Sequence, residues 1–192
     1  MNTEGPNGMK VQIEEHLRVV QHAAKHVDLF AQIADHLIAC FENGGKVYLF
    51  GNGGSAADAQ HIAAELVGRL RKDRKALPAV ALTTDTSVLT AVSNDTGYEQ
   101  VFARQIEALV TKNDIVWALS VSGTSPNVIR ALESAKAIGA FCIGFTGRSG
   151  GRFPELCDLC FHVDHDASDR VQEVHQLAYH LVCHRIEQHY LR

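Results

Sequence analysis

Residues able to move a proton or hold a metal concentrate in two stretches of the chain. Within Ser55–Leu70, which reads as a helix, His61 and Glu65 stand four apart and share a face. Arg69, eight from His61, drifts only slightly off that face. In a final helix expected over Ser168–Tyr190, Asp169 and His180 are eleven apart and nearly superimpose at about 100° per residue, with Gln172 on the same side. An imidazole and a carboxylate on two helices can act as a proton-transfer pair. His61, Glu65, Gln172 and His180 can equally ligate one metal, with imidazole nitrogens favouring zinc or a neighbouring transition metal. Spacing alone leaves a third reading open, two solvated helix faces, because the chain carries 11 His and any one of them proves little.

Two loops have the composition of anion cradles. Gly51-Asn52-Gly53-Gly54-Ser55 lets a backbone approach a ligand and points amides at it, though a tight strand-to-helix turn would use the same residues. Ser120-Val121-Ser122-Gly123-Thr124-Ser125 opens a helix with four hydroxyls in six residues. Hydroxyls, amides and the helix dipole can hold a phosphate without Lys or Arg, whereas a bland reading makes Ser125 an N-cap. Neither loop is a GxGxxG fingerprint or a Walker loop, so no nucleotide cofactor is expected.

These residues need elements to position them. Helical periodicity covers about Met9–His26 and Val27–Glu42, with Asn43-Gly44-Gly45 as a stop. This N-terminal pair, residues 1–43, precedes the first strand and reads as an oligomer contact. Strands follow at Lys46–Phe50, Pro78–Thr83, Asp114–Leu119, Ala140–Phe145 and Leu156–Val163. Helices are expected between them, among others near Ser87–Val92, over Tyr98–Val110 and from Pro126. Continuous apolar strands separated by helices predict an α/β fold, a three-layer sandwich around a five-stranded parallel sheet over 44–192. Residues 1–192 then form one domain. In such a sheet ligands bind beyond the carboxyl ends of the strands, where both loops fall.

Composition narrows the class. Hydrophobic residues at 46% and charged residues at 21% suit a globular chain. A net charge of −4, with no long basic run, argues against a nucleic-acid footprint. No apolar run suits a membrane helix, and the polar start MNTEGPNGMK reads as no signal peptide. The five cysteines are expected to be reduced, buried thiols of a cytoplasmic protein. Cys157 and Cys160 form a lone CxxC, but on a strand residues three apart point to opposite faces and would not converge on a metal.

Taken together, the glycine loop with His61, Glu65 and Arg69, then Ser93-Asn94-Asp95, the Ser120–Ser125 loop, Thr146-Gly147 and Asp169-Arg170-Val171-Gln172-Glu173-Val174-His175 resemble the signature of the bacterial phosphoheptose isomerases of the sugar isomerase (SIS) domain family. The resemblance spans about Gly44–Tyr190 and implies a flavodoxin-like SIS domain. It implies isomerisation of sedoheptulose 7-phosphate to glycero-manno-heptose 7-phosphate, the entry to ADP-heptose for surface polysaccharides. Carried over residue by residue, Asn52, Gly53, Gly54, Asn94 and Asp95 would bind the sugar and Ser120, Val121, Ser122 and Ser125 the phosphate. Glu65 and His180 would move the proton through an enediol, and Gln172 would touch substrate. His61, Glu65, Gln172 and His180 would hold zinc, with Ser55, Arg69 and Asp169 in support. A homotetramer with shared sites is implied as well. Val121, Thr124 and Thr96 depart from the family pattern, which bears on substrate preference. The competing readings are a non-catalytic SIS adaptor of the type that associates with the replication initiator, and an isomerase or sensor for another phosphosugar. Glu65, Gln172 and His180, which the adaptor lacks, favour the enzyme.

Overall fold

The structure, a computed structural model, describes residues 5–191; the first four residues of the polar start lie outside it. Two helices lead, α1 (Pro6–Ala23) and α2 (Val27–Glu42), joined by one 3₁₀ turn. Pro6 opens α1, where its missing N–H costs nothing. Asn43 caps α2 in front of Gly44, whose φ is 78°. The chain then alternates β1 (Val47–Gly51), α3 (Gly54–Val67), β2 (Ala79–Ala81), α4 (Thr86–Thr96), α5 (Ala103–Leu109), β3 (Ile115–Ser120), α6 (Pro126–Ile138), β4 (Phe141–Thr146), α7 (Phe153–Leu156), β5 (Leu159–His162) and α8 (Ser168–Tyr190).

All five strands are parallel, in the order β2-β1-β3-β4-β5. The direction of winding reverses between β1 and β3, which makes that crevice the place for a ligand. Register puts Gly51 beside Leu119 and Ser120 beside Thr146, so both loops open on one sheet edge. One face of the sheet, with Val47, Leu49, Trp117, Leu119, Phe145 and Phe161, packs under the layer that contains α2, α3 and α8. The other, with Tyr48, Phe50, Val116 and Ala118, packs against α5 and α6. Both faces are dry, which is why the strands read as unbroken apolar runs.

Several boundaries differ from the sequence reading. Gly68 ends α3 with a φ of −83° and ψ of −110°, so Arg69 lies past the helix and does not extend the His61–Glu65 face. α4 runs through to Thr96, carrying Asn94 and Asp95 into its last turn. Short α7, unexpected from the sequence, takes the place of the start of the last strand. Cys157 therefore precedes β5, and the opposite-faces geometry does not hold. Cys157 and Cys160 pack beside buried Cys142 against the same core cluster. All five thiols are free; burial pushes Cys142 and Cys160 up to about 12. Among the described residues no helix is long and apolar enough to cross a membrane.

His175 on α8 is fully buried beneath β4, its Nε2 3.2 Å from the Thr146 carbonyl oxygen and its Nδ1 unpartnered. Nε2 therefore donates and the ring is neutral. Burial holds the imidazole down to about 4, from the ordinary 6.5. Between those values the unfolded chain takes up a proton that the folded chain refuses. Stability thus falls as pH drops through that window, by about 3 kcal/mol in all. Urea unfolding across this range should show the slope, and His175→Gln, which keeps a donor for Thr146, should flatten it.

Candidate functional site

The glycine loop works through two residues. Gly53 has a φ of 55°, a conformation that side chains resist. Gly54 starts α3 directly beneath Gln172 of α8: a Cβ here would meet the Gln172 amide atoms at 2.5–2.7 Å. The absence of a side chain lets the two helix N-termini converge on the sheet edge. Asn52 is locked in place, since its Nδ2 donates to Asn127 Oδ1 at 2.9 Å. Its Oδ1 accepts from Asn127 Nδ2 and from the Tyr98 hydroxyl.

The serine loop resolves the capping question. Ser125 holds the N-cap position of α6, yet its hydroxyl caps nothing and stands 3.2 Å from Ser120 Oγ. Asn127 Oδ1 accepts from the Val128 amide instead. Ser122 Oγ accepts from the Thr124 amide and lies 3.0 Å from the Thr124 hydroxyl. Together these loops line a groove of about 480 Å³ whose wall includes Asn52, Ser55, Ser120, Val121, Ser122, Ser125 and Gln172.

Sequence reasoning missed the far wall, Arg148, Ser149, His165, Asp166 and Ser168. Arg148 Nε donates to Asp164 at 2.8 Å and its Nη1 to Asp166 at 2.7 Å, so the groove wall carries a cation and the Asp166 carboxylate rather than hydroxyls alone. The signal was present, because Arg148 follows Thr146-Gly147 at the end of β4. Asn94 and Asp95 are exposed in α4, Asn94 Nδ2 donating to Asp95, and neither lines the groove.

The second centre lies further along the same two helices. One nitrogen each of His61 and His180 and one oxygen of Glu65 lie within 4.8 Å of one another. His61 Nε2 is 3.2 Å from Glu65 Oε1 and 3.4 Å from His180 Nε2. Glu65 Oε2 is buried with no hydrogen-bond partner. Two imidazole nitrogens, a carboxylate and an unsatisfied oxygen fit a metal ion of the zinc type. Burial, then the neighbouring His61, holds the His180 imidazole below its ordinary value.

Not every residue joins this group. Gln172 is two helical turns from His180, about 12 Å of rise, and packs over Gly54 instead. Asp169 lies a turn further off, exposed, accepting from the Arg170 amide and guanidinium, which keeps its carboxyl below the usual range. Two groups that the sequence reading passed over, fully buried Tyr179 and half-buried Asp58, support the triad. The Tyr179 hydroxyl is 2.9 Å from His61 Nδ1 and donates to Asp58 Oδ1 at 3.3 Å. Burial pushes the Asp58 carboxyl up to about 6, the Tyr179 bond opposing it. Their signal was adjacency: Tyr179 precedes His180, and Asp58 is one turn before His61.

Residues 12–147 match the SIS domain family. The chain is 46% identical over 182 residues to phosphoheptose isomerase 1 of Campylobacter jejuni, covering 95% of this chain and 98% of that one. It is 52% identical over 160 residues to the phosphoheptose isomerase of Desulfovibrio desulfuricans, 83% of this chain and 76% of the relative. The solved phosphoheptose isomerase of Neisseria gonorrhoeae superposes with a TM-score of 0.90 at 40% identity, covering 95% of this chain and 98% of that one.

The chain belongs to the SIS domain family, among the phosphoheptose isomerases. The family resemblance read from the motifs is thus sound, as is the five-stranded α/β/α architecture. In this isomerase the Gly54–Gln172 contact is open to test. Gly54→Ala should leave the thermal midpoint close to wild type, since the far end of Gln172 can swing aside. Phosphosugar binding in the groove should weaken by up to about tenfold, the worth of one displaced neutral hydrogen bond from Gln172, as read by calorimetric titration.

Proposed function

We propose that the groove and the triad serve one reaction, the interconversion of sedoheptulose 7-phosphate and glycero-manno-heptose 7-phosphate that characterises the phosphoheptose isomerases. The observation that carries the reading is the joint presence of a hydroxyl-lined anion groove and a His–Glu–His cluster on the same two helices. The two centres lie about two helical turns apart, roughly 10–12 Å of rise along α3 and α8. That separation suits a long sugar held by its phosphate at one end and reacting at the other.

In this reading Ser120, Ser122, Ser125 and the amide of Val121 hold the phosphate, with Arg148 at the rim. Gln172 and the Gly53–Gly54 backbone meet the sugar; Asn52 positions that loop. Asn94 and Asp95, exposed on α4, would reach substrate only from its open side. Glu65 takes the proton from C1 of the ketose and returns it to C2, and His180 supplies and recovers the proton on the oxygens. The enediol forms and collapses with no net gain or loss of protons. His61, Glu65 and His180 would hold zinc, which supplies Lewis-acid stabilisation of the charge that develops on the oxygens. Gln172 is left to the substrate in this arrangement. Free thiols at all five cysteines support a cytoplasmic setting.

The helices α1 and α8 carry an apolar face that this chain alone does not cover: Met9, Ile13 and Leu17 are 68%, 61% and 54% exposed, beside Leu177 and Leu181. We assign this face to contacts within a homotetramer. Leu181 adjoins His180, which supports sites completed between copies. Leu17→Asp should shift sedimentation velocity to a smaller species; an unchanged assembly would remove α1 from the interface. Glu65→Gln and His180→Gln should each cut turnover by about 10²–10⁴ or more with an unchanged circular dichroism spectrum. Near-normal conversion of the seven-carbon ketose phosphate by either variant would overturn its catalytic role.

A further inference from the structure

The groups behind the triad, Tyr179 and Asp58, take no part in the proton transfer, yet they are arranged with a direction. Tyr179 is fully buried, and its hydroxyl bridges two partners on α3, Asp58 Oδ1 and His61 Nδ1. Among the described residues this hydroxyl is the one donor to the Asp58 carboxyl, whose Oδ2 is buried without a partner. A hydroxyl has one proton to give. Given to His61, it would leave the half-buried Asp58 carboxylate, its Oδ2 already enclosed, with no donor at all, a costly state. Given to Asp58, it turns an oxygen lone pair toward His61, so the ring must bring its own proton at Nδ1.

That assignment fixes the opposite side of the imidazole. In the neutral ring, a proton on Nδ1 leaves Nε2 with its lone pair turned to the space it shares with Glu65 Oε1 and His180 Nε2, at 3.2 and 3.4 Å. An acceptor nitrogen facing an acceptor oxygen at that distance is a site awaiting a cation. We propose that Tyr179, braced by Asp58, is a positioning residue that locks His61 in its Nδ1-protonated form and so prepares Nε2 as a metal ligand. A hydrogen bond to the non-ligating nitrogen both sets the tautomer and holds the ring plane. The proposal rests on the metal reading of the triad for its purpose, but the tautomer itself does not require a metal to be bound.

Two measurements separate these layers. In metal-free protein carrying ¹⁵N-labelled histidine, two-bond proton–nitrogen correlations report the tautomer, and His61→Gln identifies the His61 signals. Wild type should show the proton on Nδ1, and Tyr179→Phe should shift it toward Nε2. Zinc affinity, read by competition with a chromophoric chelator, should fall about tenfold in Tyr179→Phe, within the range seen when such outer partners are removed. The metal-free unfolding midpoint, measured alongside, should fall by a few degrees, because Tyr179→Phe leaves the Asp58 carboxylate without its donor, so the tautomer is the readout that a merely structural role would not move. Asp58→Asn, which keeps the shape but weakens the brace, should move both readouts in the same direction and serves if Tyr179→Phe does not fold. An unchanged His61 tautomer in Tyr179→Phe overturns the proposal whatever the affinity does. Wild-type protein that binds no zinc would instead overturn the metal reading, with the tautomer experiment still standing.

Discussion

A methyl group on Gly54 would lie 2.5–2.7 Å from the Gln172 amide, so the bare glycine is what leaves that side chain its place between α3 and α8. Further along, buried Ala59 and Ala63 on α3 and Ala178 on α8 keep side chains small in the same helical layer. Small residues allow close approach, and close approach is what lets side chains 119 positions apart, His61 and His180, come within 3.4 Å. Were the helices held apart by bulkier residues, the groove would lose its Gln172 wall and the triad would open. The sheet contributes by pinning the N-terminal end of α3 at the β1–β3 crevice, so both helices start from one edge.

Electrostatics at that edge are arranged locally rather than by net charge. The chain is acidic at −4, which would repel an anion on average. Hydroxyls from Ser120, Ser122 and Ser125 and the N-terminus of α6 counter this over a short range, where dipoles outweigh distant screened charges. Arg148 adds a cation whose charge is offset by Asp164 and Asp166. The groove thus joins hydroxyls and a helix N-terminus to a guanidinium that is already engaged.

How much of this the sequence disclosed depends on whether local or tertiary forces decide. α2 and α8 match their expected bounds because their apolar periodicity is long and their ends carry clear signals, Gly44 after α2 and a polar loop before Ser168. The parallel sheet follows from the alternation of apolar runs with helices, whereas its strand order is set by which strands pair in the fold. Arg69 falls outside its expected helix because one glycine, Gly68, ends α3 before the charge pattern does. Asn94 and Asp95 look like loop residues by composition, yet Thr86–Thr96 packs as a helix behind the Asp85 cap. Cys157 escapes a correct reading since α7 has only four residues, too few for periodicity to register. Within the site, the hydroxyl loop and the His61–Glu65 pair were legible from spacing. Arg148 and the Asp58–Tyr179 brace were not, because each acquires its meaning from a partner on another element.

Glu187, near the end of α8, is fully buried and accepts hydrogen bonds from the amides of Leu70 and Arg71, about 117 residues earlier. The same helix supplies His180, Tyr179 and Gln172. On the ribosome, then, the segment after α3 waits without this partner, and His61 and Glu65 wait without their third member, until α8, about 117 residues further on, has emerged. A nascent chain made in order from its amino end would present one half of the site while the intervening 119 positions are added. The last helix acts as a keystone, and ligand-binding competence arrives in a single late step rather than growing with length.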